Sequence, residues 1–215
     1  MRFTDRRDAG RRLADALAFL KGRKDLIILA VPRGGVVVGA EVARALGAPL
    51  DLIIARKIGA PGNPELAIGA VAPDGTTVLD EQLVQQLRVS PDYVEATKAR
   101  EQEEIQRRLR AYRGDRPPPE VAGKTAVVVD DGVATGATTL AALRALRQQG
   151  PRELILAVPV GPPDTIRMLE READRTVVLS TPALFWAVGA FYEQFEQTTD
   201  QEVQDLLREA SRAAA

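Results

Sequence analysis

The sequence predicts an α/β domain whose parallel sheet is covered by helices on both faces. Apolar runs of strand length recur at 26–31 (LIILAV), 125–129 (TAVVV), 153–160 (ELILAVPV) and 176–180 (TVVLS), without the polar alternation of a sheet that faces water. Segments of helical periodicity separate them, which is the pattern of successive βαβ units. At 215 residues the chain is long enough for one domain with an appendage and a substantial core.

Taken in order, residues 5–21 place Leu13, Ala16, Leu17 and Leu20 on one helical face, with Gly22 as the stop. The first strand, 26–31, runs into PRGG and then into VVVGAEVARALG, a helix that ends near Gly47. A second buried strand covers about 50–55. Residues 58–80 change texture: Gly, Pro and Asn alternate with short extended runs and PDG marks a turn, so a mobile loop leading into a hairpin is expected. Ser90, Pro91 and Asp92 open a long helix rich in opposite charges three to four residues apart, ordinarily a solvated face. Three prolines at 117–119 close this helical insert, which spans 81–120. Helices follow near 137–149 and 163–173. The aromatic segment from 182 is irregular, and Thr199 with Glu202 forms a capping box for a last helix. The expected organisation is a core over 1–180, carrying the loop and the insert, and an appendage over 181–215.

Composition narrows the chemistry. With neither Cys nor His, the chain has no zinc or haem ligation, no thiol nucleophile and no Ser-His-Asp triad. A bound metal must sit on oxygen, which favours magnesium. A net charge of −1, from 29 basic and 30 acidic residues, gives no field for nucleic acid. No apolar run reaches membrane-spanning length and the first residues lack a signal-peptide core, so a cytoplasmic protein with no membrane partner is expected.

The densest chemistry lies at 127–139, VVVDDGVATGATT. An apolar strand ends in Asp130 and Asp131, and a loop of small residues follows, whose N–H groups and Thr135 and Thr138 hydroxyls can surround a phosphate at a helix start. A Walker A loop is absent, since Ala137 rather than Lys follows Gly136. Taken alone, the acids also suit the second acidic strand of an NTPase or a solvated strand end.

The whole stretch resembles the phosphoribosyl-pyrophosphate motif of type I phosphoribosyltransferases. That resemblance implies a Rossmann-like core with a C-terminal hood. It implies that Asp130 and Asp131 face the ribose hydroxyls and a magnesium shell, stabilising positive charge at C1, while Val133, Ala134, Thr135, Gly136, Ala137 and Thr138 hold the 5-phosphate. It assigns pyrophosphate contact to Arg33, Gly34 and Gly35, with a non-proline cis peptide near Arg33 and Gly34, and cationic contact to Arg56 and to Lys57, a catalytic candidate. The loop at 58–80 would close over the reacting centre. The segment LFWAVGAFYEQF is similar to the hood of purine enzymes, making Trp186 a stacking residue and Val188 a backbone reader. Phe185, Trp186 and Phe191 read equally well as anchors of an appendage.

One departure is informative. Ala134 stands where 6-oxopurine enzymes carry an aspartate that serves as base, which disfavours a hypoxanthine or guanine enzyme of the usual kind and leaves adenine-type relatives open. Loops like RKIGAPGNPELAIGAV occur in a broad group of predicted bacterial phosphoribosyltransferases of unassigned acceptor. The resemblance therefore implies a magnesium-dependent transferase that uses phosphoribosyl pyrophosphate and a nitrogenous base. Homodimers are common in that family, although nothing in helix 91–112 demands a partner. The alternatives are a regulatory protein that binds phosphoribosyl pyrophosphate without transfer, and a hydrolase using water in the same pocket. A strand-end carboxylate is not core, so Asp131→Asn is expected to spare the fold.

Overall fold

The computed structural model describes residues 1–213. Its elements run α1 (Arg6–Ala16), β1 (Leu26–Ala30), α2 (Gly34–Leu46), β2 (Leu50–Leu52), β3 (Arg56–Ala60), β4 (Asn63–Val71), β5 (Thr77–Leu79), α3 (Glu81–Gln86), α4 (Pro91–Arg113), β6 (Thr125–Val129), α5 (Ala137–Gln148), β7 (Glu153–Val160), α6 (Pro163–Leu169), β8 (Arg175–Ser180) and α7 (Asp200–Ala213). Five strands form a parallel sheet in the order β2-β1-β6-β7-β8. The α/β class expected from the apolar runs is therefore borne out.

Both faces of that sheet are buried, which is why its central strands read as unbroken apolar runs. Ile28, Ala30, Val127 and Val129 pack with α1, α2 and α7 on one side. Ile27, Leu29, Ala126 and Val128 pack with Leu140, Leu143 and Leu146 of α5 on the other. Helix starts follow local chemistry. Ser90 accepts from the amide of Tyr93 at 3.2 Å with Pro91 in the first turn, and Thr199 accepts from the amide of Glu202 at 3.1 Å. Gly47, at φ 64°, closes α2.

Residues 58–80 differ from the loop and hairpin expected. They belong to a three-stranded antiparallel meander, β3-β4-β5, that already begins at Arg56. Its glycines are there for close approach rather than for looseness: a Cβ on Gly59 would lie 2.6 Å from the Pro64 carbonyl oxygen, and one on Gly69 2.3 Å from that of Val78. The PDG turn is present between β4 and β5, where the Asp74 side chain accepts from Thr76.

The long helix α4 is tied down at both ends. The Tyr93 hydroxyl donates to the Gly59 carbonyl at 3.0 Å, and Arg113 donates twice to Asp51 of β2. The segment after β8 is irregular, as expected, but it pairs with the start of the chain. Phe3 donates to the Phe191 carbonyl, and Glu193 and Gln194 donate back to Phe3 and Thr4. Among the described residues no helix is long and apolar enough to cross a membrane.

Candidate active site

The connection from β1 leads to β2 on one side, and that from β6 leads to β7 on the other, so a crevice opens between the carboxyl ends of β1 and β6. Both sequence motifs meet there. Pro32 to Gly35 leave β1, with a cis peptide bond between Pro32 and Arg33, and Asp130 and Asp131 leave β6. The two segments touch so closely that a side chain at either glycine would collide. A Cβ on Gly34 would lie 1.9 Å from Asp131 Oδ2, and one on Gly35 2.9 Å from Asp130 Cα.

The two carboxylates have different surroundings. Asp131 Oδ2 accepts from Arg6 Nε at 2.7 Å, and both side chains are largely enclosed. The Arg6 guanidinium also lies 3.8 Å from the centre of the Phe195 ring and donates to the Glu196 carbonyl, which fixes its orientation. The Tyr192 hydroxyl donates to the Asp131 carbonyl oxygen at 2.5 Å; burial pushes its pKa up, so it remains a donor. Asp130 has no cation of its own among the described residues. Its Oδ1 accepts from the Asp131 amide at 2.8 Å, but burial first, and the Asp131 charge second, hold its carboxyl well above the ordinary range.

Beyond the acids the chain curls into the start of α5. Gly136, at φ 76°, makes the turn a Cβ would strain. Among the described residues the amides of Ala134, Thr135, Ala137 and Thr138 donate to no protein acceptor, while the Ala134 carbonyl is held by the Thr165 hydroxyl at 2.7 Å. A row of free N–H groups at a helix start is an anion site in both geometry and dipole. Val133 differs from its neighbours. It is buried, with its amide donated to the Val160 carbonyl, so it anchors the loop.

A cavity of about 400 Å³ extends from this loop toward the meander. Thr138, Pro32, Arg56 and Lys57 line it, together with Tyr93, Arg100, Glu101 and Arg108 of α4. Arg56 donates through Nε to Glu101 at 2.5 Å, and exposed Lys57 forms no ion pair among the described residues. The four cations in this lining outnumber Glu65 and Glu101, so the space favours an anion.

The sequence profile of the phosphoribosyl transferase domain matches residues 4–195. The chain belongs to the phosphoribosyl transferase domain family. It is 47% identical to the Thermus thermophilus protein TT1426, whose crystal structure matches with a TM-score of 0.82 over 97% of this chain and 99% of that one. It is also 46% identical over 210 residues to a Mycobacterium tuberculosis protein known from two strains and named provisionally as a phosphoribosyl transferase. That alignment covers 98% of this chain and 47% of the relative, so the chain spans about half the length of the curated relatives it matches.

The resemblance carried by residues 127–139 is thus borne out at the level of family. Within this phosphoribosyl transferase domain, Asp130, Asp131, Gly34 and Gly35 converge on one point, and Val188 joins them, since a Cβ on Gly132 would lie 2.6 Å from its Cγ1. Arg33 is directed elsewhere, its guanidinium 3.5 Å from Asp200 at the start of α7. Trp186 is 88% exposed and so is not a core anchor, whereas Phe185 and Phe191, stacked at 5.2 Å, pack with Phe3 and Tyr192.

Arg6, Tyr192 and Glu101 were not among the residues expected from sequence. Magnesium takes oxygen ligands, commonly one or two carboxylates with the rest from phosphates and water. One oxygen each of Asp130 and Asp131 remains outside the contacts above, and no third acid joins them among the described residues. This donor set fits an ion shared with a phosphorylated ligand and does not form a protein cage.

Proposed function

We propose that this phosphoribosyl transferase domain moves the 5-phosphoribosyl group from phosphoribosyl pyrophosphate to a nitrogenous base, with release of pyrophosphate. The observation that supports the reading is that one short loop carries the carboxylates of Asp130 and Asp131 at its start and amides of 134–138 without protein acceptors, among the described residues, at its end. A sugar bearing a phosphate at one end and hydroxyls at the other suits that spacing. In the reaction a base nitrogen bonds to C1 as the C1–oxygen bond to pyrophosphate breaks, and the leaving group takes the electron pair.

Each group of residues has a role in this reading. The loop amides and the Thr135 and Thr138 hydroxyls hold the 5-phosphate. Asp130 and Asp131 accept from ribose hydroxyls and stabilise the positive charge that develops at C1. Gly34 and Gly35 bring backbone to the pyrophosphate, and Arg56 and Lys57 offset its charge. Magnesium, when bound with the donor on Asp130 and Asp131, supplies further neutralisation of the pyrophosphate. Ala134 brings no base, so a proton leaving the acceptor goes to a group on another segment or to water.

Phosphoribosyl pyrophosphate at 100 times its dissociation constant is expected to stabilise the fold by about 2.7 kcal/mol when magnesium is present and by much less without it. Differential scanning fluorimetry reads this, and no shift at millimolar donor would overturn the reading. Pyrophosphate release across a panel of bases then separates transfer from binding alone, and release without any base marks a hydrolase.

In this reading Trp186 is the acceptor's stacking surface, a role supported by its exposure two residues from Val188. Trp186→Ala should change stability by less than about 0.5 kcal/mol. It should raise the acceptor KM by roughly tenfold, with little effect on the donor KM. Equal losses for both substrates would remove Trp186 from acceptor binding.

A further inference from the structure

From the lining of the 400 Å³ cavity we infer that the helical insert is the back wall of the donor's pyrophosphate site, and that Glu101 of α4 is a positioning residue for Arg56. This inference rests on the donor reading given above. Neither family membership nor the sequence motifs assign any residue of α4 a part in the site.

The geometry is specific. Glu101 is the most enclosed charged side chain on this wall, 12% exposed, and it faces two guanidinium groups. Its Oε2 accepts from Arg56 Nε at 2.5 Å and its Oε1 lies 3.4 Å from Arg100 Nε. Arg56 is bound through Nε alone, so both of its Nη groups stay available to the cavity among the described residues. A guanidinium fixed at Nε presents its remaining donors as a preset fork, which matches phosphate oxygens better than a freely rotating cation does.

The helix itself is in position to hold that geometry. Tyr93, two turns earlier, bonds the Gly59 carbonyl of the strand that carries Arg56, and Arg113 at the far end bonds Asp51. Glu101 therefore acts from a wall fixed to the same meander. A carboxylate that merely competed with the ligand for Arg56 would have the opposite consequence, since its removal would tighten donor binding.

Isothermal titration with phosphoribosyl pyrophosphate and magnesium, and separately with ribose 5-phosphate, decides between these. Glu101→Ala and Glu101→Gln should weaken the donor by about tenfold, while ribose 5-phosphate, which lacks the pyrophosphate, binds as to the parent. Glu101→Asp should recover part of the loss. In a double-mutant cycle, Glu101→Ala should cost nothing further once Arg56→Ala is present. Unchanged or tighter donor binding in the Glu101 variants, equal weakening of ribose 5-phosphate, or full additivity with Arg56→Ala would each overturn the positioning role alone. Absence of donor binding by the parent protein would overturn the donor reading and this inference with it.

Discussion

Asp130→Asn is expected to raise the melting temperature at neutral pH while weakening donor binding, and Asp131→Asn to lower both. The two residues are adjacent, yet among the described residues only Asp131 has a cation, Arg6 at 2.7 Å. Burial and the Asp131 charge raise the folded pKa of Asp130 above its value in the unfolded chain. Stability from the protonated group is complete below the unfolded pKa, near 3.8, and is lost as pH rises through the folded one. Asparagine never ionises, so the variant escapes this loss. Its advantage should grow as pH rises from near 3.8 and level off once the folded group has ionised, at roughly 2–4 °C for each kcal/mol in a chain of this size. Thermal melts from acid to neutral pH check it; a difference that stays flat with pH would show Asp130 to be solvated.

Asp131→Asn has the opposite sign because the amide leaves the enclosed Arg6 guanidinium without its charge partner, a loss of about 1–3 kcal/mol. The contact makes this substitution cost stability, although a loss of that size leaves the domain folded. Transfer should fall by about 10²–10³-fold in either variant if both carboxylates serve the developing charge. A stability gain from Asp130→Asn coupled to lost activity would mean that the fold tolerates an unfavourable, partly buried acid for the sake of its ligand.

Much of this arrangement was legible in the sequence, and the reasons are local. Central strands of a parallel sheet are apolar on both faces, so β1, β6 and β7 stand out as continuous runs. The loop after β6 combines acids, small residues and threonines within one short stretch. Ser90 with Pro91 and Thr199 with Glu202 mark helix starts through contacts three residues apart.

What was hidden depends on distance along the chain. Arg6 lies 125 residues from Asp131, and nothing in an amphipathic first helix tells which of its arginines turns inward. Arg56 and Glu101 are 45 residues apart, and Glu101 sits among charges that on most helices face water. The meander was hidden for another reason: Gly59 and Gly69 read as loop residues but serve strands whose backbones approach too closely for a Cβ.

The glycine pair after β1 should separate function from fold within two adjacent positions. Gly34→Ala would put a methyl group 1.9 Å from Asp131 Oδ2 and 2.6 Å from Arg6 Nε. Asp131 Oδ2 ends a short side chain that can swing aside while its charge stays near Arg6, so the fold should lose about 1 kcal/mol, less than when Asp131→Asn removes that charge. The carboxylate, however, would leave its place, and a misplacement on the order of 1 Å can cost about 100-fold in rate. Gly35→Ala meets backbone instead, with Asp130 Cα at 2.9 Å and the Val129 carbonyl oxygen at 3.0 Å. Neither can yield without parting α2 from the end of β6, so the larger stability loss, about 1–3 kcal/mol, belongs here. Melting temperatures and donor titrations on the two variants test the assignment. Near-parent stability with lost donor affinity is expected for Gly34→Ala, and loss of both for Gly35→Ala. Wild-type donor affinity in Gly34→Ala would mean that the position of Asp131 is immaterial to binding, and would withdraw the role given to it at the ribose.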